Sequence, residues 1–116
     1  GVAIMDPRDQ AVYARANHDR ATRAGIAAFP RMIPNNARHP NYPILQEIVS
    51  KLESWDIPAL VLFSDHDSVF TAEQGQRLAE RMVNAQFKLI AGPKHFLQYE
   101  QPDLLSRLIR SFLEEQ

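Results

Sequence analysis

The chain has 116 residues and a formal net charge of −1, which suits one modest domain and lacks the basic excess of nucleic-acid-binding or membrane-surface proteins. Because there is no cysteine, disulfide and thiolate chemistry are excluded. No apolar stretch approaches the roughly 18 residues that a membrane span needs, and the first ten residues, GVAIMDPRDQ, lack the basic start of a secretion signal. We therefore expect a soluble, cytoplasmic protein without nucleic-acid or membrane partners.

Residues 1–43 are rich in proline and predict two short helices followed by a long irregular connection. DPRDQAVYARA predicts a helix with Asp6 as its N-cap and Pro7 at its first position, where a missing amide hydrogen does no harm. NHDRATRAGIAAF predicts a second helix that begins at Asn17. Each proline of FPRMIPNNARHPNYP removes a hydrogen-bond donor and restricts the residue before it, so this stretch is predicted to be irregular.

Residues 44–116 predict an alternation of helices and strands. PILQEIVSKLESW places its large apolar residues on one helical stripe, and IPALVLF is a continuous apolar run, typical of a strand covered on both faces. TAEQGQRLAERM opens with a capping box, in which Thr71 is followed three residues later by Gln74, and predicts a helix. AQFKLI predicts a second short strand, and QPDLLSRLIRSFLEE predicts a terminal amphipathic helix.

This order predicts an α/β fold in which parallel strands are flanked by helices. Two strands make a thin sheet with unpaired edges, and IPALVLF is too apolar for an edge strand. We therefore predict that the sheet is completed in one of two ways. Either a second copy of the chain covers it, in a homodimer or higher oligomer, or the chain contributes to a larger sheet.

Two titratable residues follow the carboxyl ends of the predicted strands. Asp67 lies four residues after Phe63, and His95 lies five residues after Ile90. Ligands of parallel sheets bind beyond these ends, and a right-handed crossover returns the chain to the same edge. We therefore predict that Asp67 and His95 project from neighbouring loops. A carboxylate beside an imidazole fixes the ring tautomer and stabilises the imidazolium, as in the acid–histidine half of a catalytic triad.

The D-H-D sequence at residues 65–67 also has simpler interpretations. Asp67 alone would suit an Asx turn, Asp65 a turn or cap, and His66 a solvent-facing loop position. A metal site is disfavoured because adjacent side chains point in different directions and no further ligand cluster stands out, so we predict no metal and no cofactor. A small apolar ligand would suit a pocket lined by four residues whose commoner fate is core packing: Phe29, Met32, Phe96 and Tyr99.

The stretches PALVLFSDHD and GPKHFLQYE resemble the acid and histidine motifs of the α/β-hydrolase fold, and more narrowly those of haloalkane dehalogenases. The shared pattern is an apolar strand, G/S-x-x-D (Ser64–Asp67), a helix, a strand, and G-x-x-H-F-x-Q (Gly92–Gln98). Tyr13 followed by DRATRAGIAAFPRMIP is similar to the Y…A-G-x-x-x-F-P segment of the dehalogenase cap. The resemblance extends from about residue 12 to about residue 114.

The resemblance implies a partial α/β-hydrolase fold, with residues 1–43 as a partial cap-like helical segment and residues 44–116 as a C-terminal hydrolase-like segment. It also implies hydrolytic cleavage of carbon–halogen bonds. In this family an aspartate nucleophile displaces the halide and forms an alkyl-enzyme ester, which water activated by a histidine then hydrolyses. Asp67 and His95 occupy the positions of the supporting acid and of the histidine.

The nucleophile of such an enzyme has no match in this sequence. No elbow of the form G-x-D-x-G or G-x-S-x-G occurs in the 116 residues. Trp55 precedes the first strand, and we expect it to pack in the core rather than hold a halide. The isolated chain is therefore expected to be inactive. The partner expected for it is a missing N-terminal portion of the hydrolase. The alternative is a self-standing, non-catalytic oligomer that binds a small apolar ligand.

Overall fold

A computed structural model of the protein describes residues 5–116; residues 1–4, which open the segment predicted to be cap-like, lie outside the described residues. Within the described range the helices and strands follow in the order α1 (Pro7–Ala16), α2 (Ala24–Met32), α3 (Tyr42–Glu53), β1 (Ala59–Ser64), α4 (Ala72–Arg81), β2 (Ala85–Ile90), α5 (Leu97–Glu100) and α6 (Pro102–Glu114). The chain divides into two compact units, with the boundary after Lys51.

Helix α1 begins as the sequence predicts. The Asp6 carboxylate accepts a hydrogen bond of 2.8 Å from the amide of Arg8, and Pro7 occupies the first helical position. The cap therefore satisfies one of the amides that every helix leaves unpaired at its start.

The predicted start of the second helix at Asn17 is wrong. Asn17 is instead the C-cap of α1, and its side-chain amide donates to the carbonyl of Tyr13. A tight turn follows, in which the amide and the hydroxyl of Thr22 both donate to the Asp19 carboxylate. Because these local hydrogen bonds compete with helical ones, α2 begins only at Ala24.

The proline-rich connection is shorter than predicted. Helix α2 continues through Pro30, which removes one hydrogen bond close to the end of the helix, and only residues 33–41 remain irregular. The ring Nε2 of His39 lies 2.9 Å from the Arg31 carbonyl oxygen, and the Asn41 side-chain amide donates to the next carbonyl at 2.7 Å. These side chains partner the carbonyls that the end of α2 leaves unpaired.

The unit from Leu52 onward is built on a parallel pair of strands, which confirms the predicted α/β class. Strand β1 pairs with β2 residue for residue, from Ala59 opposite Ala85 to Ser64 opposite Ile90. Helix α4 connects the two strands and packs against both. Its capping box is present as predicted, with reciprocal hydrogen bonds between Thr71 and Gln74.

Close packing on this sheet depends on a glycine. A Cβ atom at Gly75 of α4 would lie 2.5 Å from ring carbons of Phe63 on β1. The Phe63 ring also meets the Phe87 ring of β2 at a centroid distance of 6.4 Å. The missing side chain of Gly75 therefore lets the helix approach the aromatic pair on the sheet.

The strand predicted to be covered on both faces is only partly covered. Of its residues, Val61 and Ser64 are buried, while Leu60, Leu62 and Phe63 are intermediate. The reason is that, among the described residues, β1 has a strand on one side only. Trp55, expected in the core, is 48% exposed. The buried apolar side chains among the described residues are few: Val61, Ala79, Ile90, Pro93, Leu97 and Phe112.

The one-turn helix α5 is absent from the sequence predictions, because four residues are too few to show a helical period. It is followed directly by α6, which has Pro102 at its start and contacts α5. Helix α6 matches the predicted terminal helix. Its predicted apolar face is unevenly covered, since Phe112 is buried whereas Leu113 is 66% exposed.

Three further expectations stay predictions. The first is the cytoplasmic location, which is predicted from sequence alone. The structure adds only that, among residues 5–116, no helix combines the length and the apolar character that crossing a bilayer requires. The cap-like origin of residues 1–43 and the completion of the sheet by a second chain have the same standing.

The contact between Gly75 and Phe63 predicts that Gly75→Ala destabilises the protein. Alanine favours a helix over glycine by about 1 kcal/mol, but pressing a methyl group into packed atoms typically costs about 1–3 kcal/mol. We expect a net loss of about 1 kcal/mol in the free energy of unfolding, measured by urea denaturation. Gly25→Ala is the control, because no described atom lies within 4 Å of a Cβ at that position. Equal effects of the two variants would show that the ring contact is not a constraint.

Candidate acid–histidine site

The loops that follow β1 and β2 bring Asp67 and His95 together, as the sequence predicts. Nδ1 of His95 lies 3.0 Å from Oδ2 and 3.1 Å from Oδ1 of Asp67, across 28 positions of sequence. The Asp67 side chain is 8% exposed and the His95 side chain 24% exposed. The two residues thus form a contact that is largely shielded from solvent, and their catalytic role is still a prediction at this point.

Asp67 also makes the turn that was considered as its alternative role. Its Oδ1 accepts hydrogen bonds from the amides of Val69 at 2.7 Å and Phe70 at 3.1 Å. Burial raises the pKa of Asp67, but the Val69 amide, the His95 ring and the Phe70 amide together lower it by more, so the pKa lies below 3.8. The carboxylate is therefore ionised at neutral pH, and its own loop fixes it in place.

The His95 ring is held between aromatic side chains. Its centroid lies 5.4 Å from that of Phe70 and 5.2 Å from that of Phe96. A carboxylate next to Nδ1 favours the tautomer with the proton on Nδ1, which leaves a lone pair on Nε2. The ring is consequently fixed in orientation, with Nε2 as the atom able to take up a proton.

Three hydrogen bonds join the two loops beside this pair. The buried Ser64 hydroxyl donates to the carbonyl of Pro93. The amide of Asp65 donates to the Ile90 carbonyl at 3.2 Å, and the amide of Gly92 donates to the Asp65 carboxylate at 2.8 Å. Gly92 has a φ of 102°, a conformation that favours glycine. From sequence alone, Ser64 and Gly92 stand out only as members of motifs, because their hydrogen bonds across the two loops have no local signal.

The D-H-D sequence separates into two different Asp–His pairs. The Asp65 carboxylate contacts Nδ1 of His66 at 2.5 Å, and the His66 side chain is 64% exposed, as expected for a loop position. The Asp67 carboxylate instead contacts His95. Within residues 5–116, no group of three or more histidine, cysteine, aspartate or glutamate side chains is arranged to hold a metal ion.

A cavity of about 270 Å³ opens beside the Asp67–His95 pair. Its other walls are mostly apolar, with Lys94 as a cationic exception, and include Leu62, Phe63, Phe70, Leu97 and Leu105. Of the residues considered earlier for an apolar pocket, Phe29 is 65% and Met32 56% exposed. The apolar walls next to an acid–histidine pair suit an uncharged organic group rather than a strongly hydrated one.

The chain matches no family model, but individual proteins are similar to it. The haloalkane dehalogenase of Psychrobacter cryohalolentis is 26% identical over 101 residues, which cover 84% of this chain and 33% of that protein. The crystal structure of the haloalkane dehalogenase DatA from Agrobacterium tumefaciens C58 superimposes with a TM-score of 0.86 and 24% identity, over 97% of this chain and 39% of DatA. This chain resembles part of a haloalkane dehalogenase.

The dehalogenase-like chain shares its fold with other hydrolase-type structures. A thermophilic esterase from Thermogutta terrifontis superimposes with a TM-score of 0.57 and 18% identity, over 99% of this chain and 53% of the esterase. The predicted partial α/β-hydrolase fold is thereby confirmed. The chain spans about a third of the curated dehalogenase and about two fifths of DatA.

The lowered pKa of Asp67 predicts how stability depends on pH. An aspartate whose pKa falls on folding stabilises the folded state at pH values above 3.8, and this contribution is lost as the pH falls through the lowered pKa. We expect the free energy of unfolding to decrease as the pH falls below 3.8 and to decrease less steeply in Asp67→Asn. Asp19 and Asp65, whose pKa values are also lowered, keep part of the slope.

Urea denaturation across this acidic range measures the effect. Gln86→Ala changes an exposed residue of β2 that has no titratable group and is the control, expected to keep the wild-type slope. A slope in Asp67→Asn equal to that of the wild type would contradict the contribution assigned to Asp67.

Proposed function

We propose that the chain supplies the acid and the histidine of a haloalkane dehalogenase-like hydrolase, with Asp67 as acid and His95 as base. The nucleophile would lie on sequence outside these 116 residues or on a partner chain. The observation that carries the proposal is the contact of the Asp67 carboxylate with Nδ1 of His95 beside a mostly apolar cavity. Similarity to a haloalkane dehalogenase supports the choice of reaction.

The proposed reaction has two steps. The carboxylate nucleophile first displaces halide from carbon and forms an alkyl ester. His95 then takes a proton from water through Nε2 while the water oxygen bonds to the ester carbonyl carbon, and the ionised Asp67 stabilises the imidazolium. Collapse breaks the acyl–oxygen bond, the imidazolium returns its proton to the alkoxide as the alcohol leaves, and the nucleophile releases its own proton to solvent.

The edge of β1 is the proposed joint to the remainder of the sheet. Alternate residues of a strand direct their amides to opposite sides. The amide of Ala59 donates to the Asn84 carbonyl at 2.9 Å and that of Asp65 to the Ile90 carbonyl at 3.2 Å, so both amides face β2. Leu60 and Leu62 therefore direct theirs away from β2. Strand β2 carries polar side chains within AQFKLI, which suit an outer edge, whereas β1 is apolar. A partner strand beside β1 would cover its half-exposed residues.

A chimeric enzyme tests the proposed reaction. We expect the isolated chain to release no halide from short haloalkanes, because it lacks a nucleophile. When the chain replaces the matching region of the Psychrobacter dehalogenase, we expect halide release that falls about 10²-fold or more in His95→Ala. His18→Ala, which changes an exposed histidine, is the control and should keep the activity. A chimera that folds, by circular dichroism and thermal melting, yet releases no halide would refute the proposal, as would activity unaffected by His95→Ala.

The second candidate is a non-catalytic oligomer that binds a small apolar ligand, which the apolar walls of the cavity favour. In this case the β1 edge would pair with a second copy. We expect the purified chain to be a dimer or larger in light scattering, and Leu60→Pro to shift it towards monomer, because proline removes an amide from the free edge. Val61→Pro is the comparison and should unfold the strand pair instead. A folded, monodisperse wild-type monomer would argue against self-association.

A further inference from the structure

We propose that Asp65 is a positioning residue: by binding the backbone of the loop that carries His95, it sets the distance and orientation between the His95 ring and Asp67. Asp65 is not placed in contact with the reacting atoms. The inference deepens the proposed function and rests on it for its chemical meaning, but the geometry that it concerns can be measured without any turnover.

The first support is that Asp65 forms hydrogen bonds through its backbone amide and through its side-chain carboxylate. Its amide donates to the Ile90 carbonyl at 3.2 Å, which extends the parallel ladder by one step beyond the strands. Its carboxylate accepts from the amide of Gly92 at 2.8 Å. One residue of the acid loop is thus bound twice to the opening of the histidine loop, through backbone and through side chain.

The second support is the place of these bonds along the two loops. Asp65 precedes Asp67 by two residues, and Gly92 precedes His95 by three. The hydrogen bond from Gly92 to Asp65 and the contact of Asp67 with His95 therefore close a short ring of chain. Within this ring, few rotatable bonds separate Asp65 from Asp67 or Gly92 from His95, so a shift at Asp65 changes the position of the His95 ring relative to Asp67. Gly92 itself has a φ of 102°, a conformation that favours glycine.

The third support is that the Asp65 carboxylate stays ionised at neutral pH and can therefore accept the hydrogen bond from Gly92 throughout. The Gly92 amide and the His66 ring hold the pKa of Asp65 below 3.8, so the group stays ionised at neutral pH and its hydrogen bonds are charge-assisted. Its side chain is 30% exposed, which allows the bond to form without deep burial of a charge. The neighbouring bond from the Ser64 hydroxyl to Pro93 ties the same two loops but leaves the Gly92 amide to Asp65.

The expected consequence of losing Asp65 is a displaced histidine rather than an unfolded protein. A misplacement of about 1 Å at a catalytic group can lower a rate about 10²-fold. If the loops separate, Nδ1 of His95 loses the carboxylate that favours its protonation, and the neutral ring redistributes towards the tautomer with its proton on Nε2. A residue that contributes only to overall stability would not change this tautomer ratio in the folded protein.

The experiment measures the tautomer of His95 by ¹⁵N NMR of the labelled 116-residue chain, at a pH where the ring is neutral. In the wild type we expect the Nδ1–H tautomer to dominate. Asp65→Ala is expected to shift the ratio of Nδ1–H to Nε2–H at least several-fold towards Nε2–H, and Asp65→Asn, which keeps an acceptor oxygen for Gly92, to restore it to within about twofold. Glu73→Ala removes a carboxylate elsewhere in the same unit and should leave the ratio unchanged.

The outcomes separate the inference from the proposed function. A wild-type ratio in folded Asp65→Ala overturns the positioning role, whether or not a chimeric enzyme releases halide. If Asp65→Ala does not fold, Asp65→Glu replaces it, since the longer side chain keeps the charge but moves the acceptor; an unchanged ratio in that variant also overturns the inference. Shifted ratios in a chain whose chimera is inactive would support the positioning role and refute the hydrolase.

Discussion

The parallel pairing of β1 with β2 is the constraint on which the site depends. Because the two strands run side by side in one register from Ala59 to Ser64, their carboxyl ends lie at the same edge of the sheet. The loops that follow the two strands therefore start next to each other. Side chains can meet if they lie a few residues beyond the end of each strand. Asp67 and His95 satisfy this requirement, and the hydrogen bonds of Ser64 and Asp65 to the second loop hold it.

A sheet of only two strands also leaves apolar side chains exposed to solvent. In the described range a two-stranded sheet gives each strand one neighbour, and α4 packs against both strands. Few apolar side chains in the described range are buried, while Leu89 on β2 and Ile109 on α6 are about half exposed. Hydrophobic burial is the main favourable term in folding, so additional protein against the unit from Leu52 onward would add stability.

Electrostatics and packing act together at the acid–histidine pair. Two loop amides and the imidazole stabilise the Asp67 carboxylate against the cost of its burial, and the rings of Phe70 and Phe96 flank His95. The nearby Asp65–His66 pair has the same residue types at similar distance but lies towards solvent. Environment rather than residue identity therefore distinguishes the two pairs.

The sequence by itself determined the elements whose causes are local: the apolar runs of β1 and β2, the capping box of α4, and the spacing that placed Asp67 and His95 after parallel strands. Only the tertiary structure decided that Gly75 is needed against Phe63 and that Asp65 binds Gly92, 27 residues away. These contacts join positions distant in the chain, and no periodic pattern or short motif encodes such partners. The exposure of Trp55 has the same origin, because burial depends on which surfaces meet.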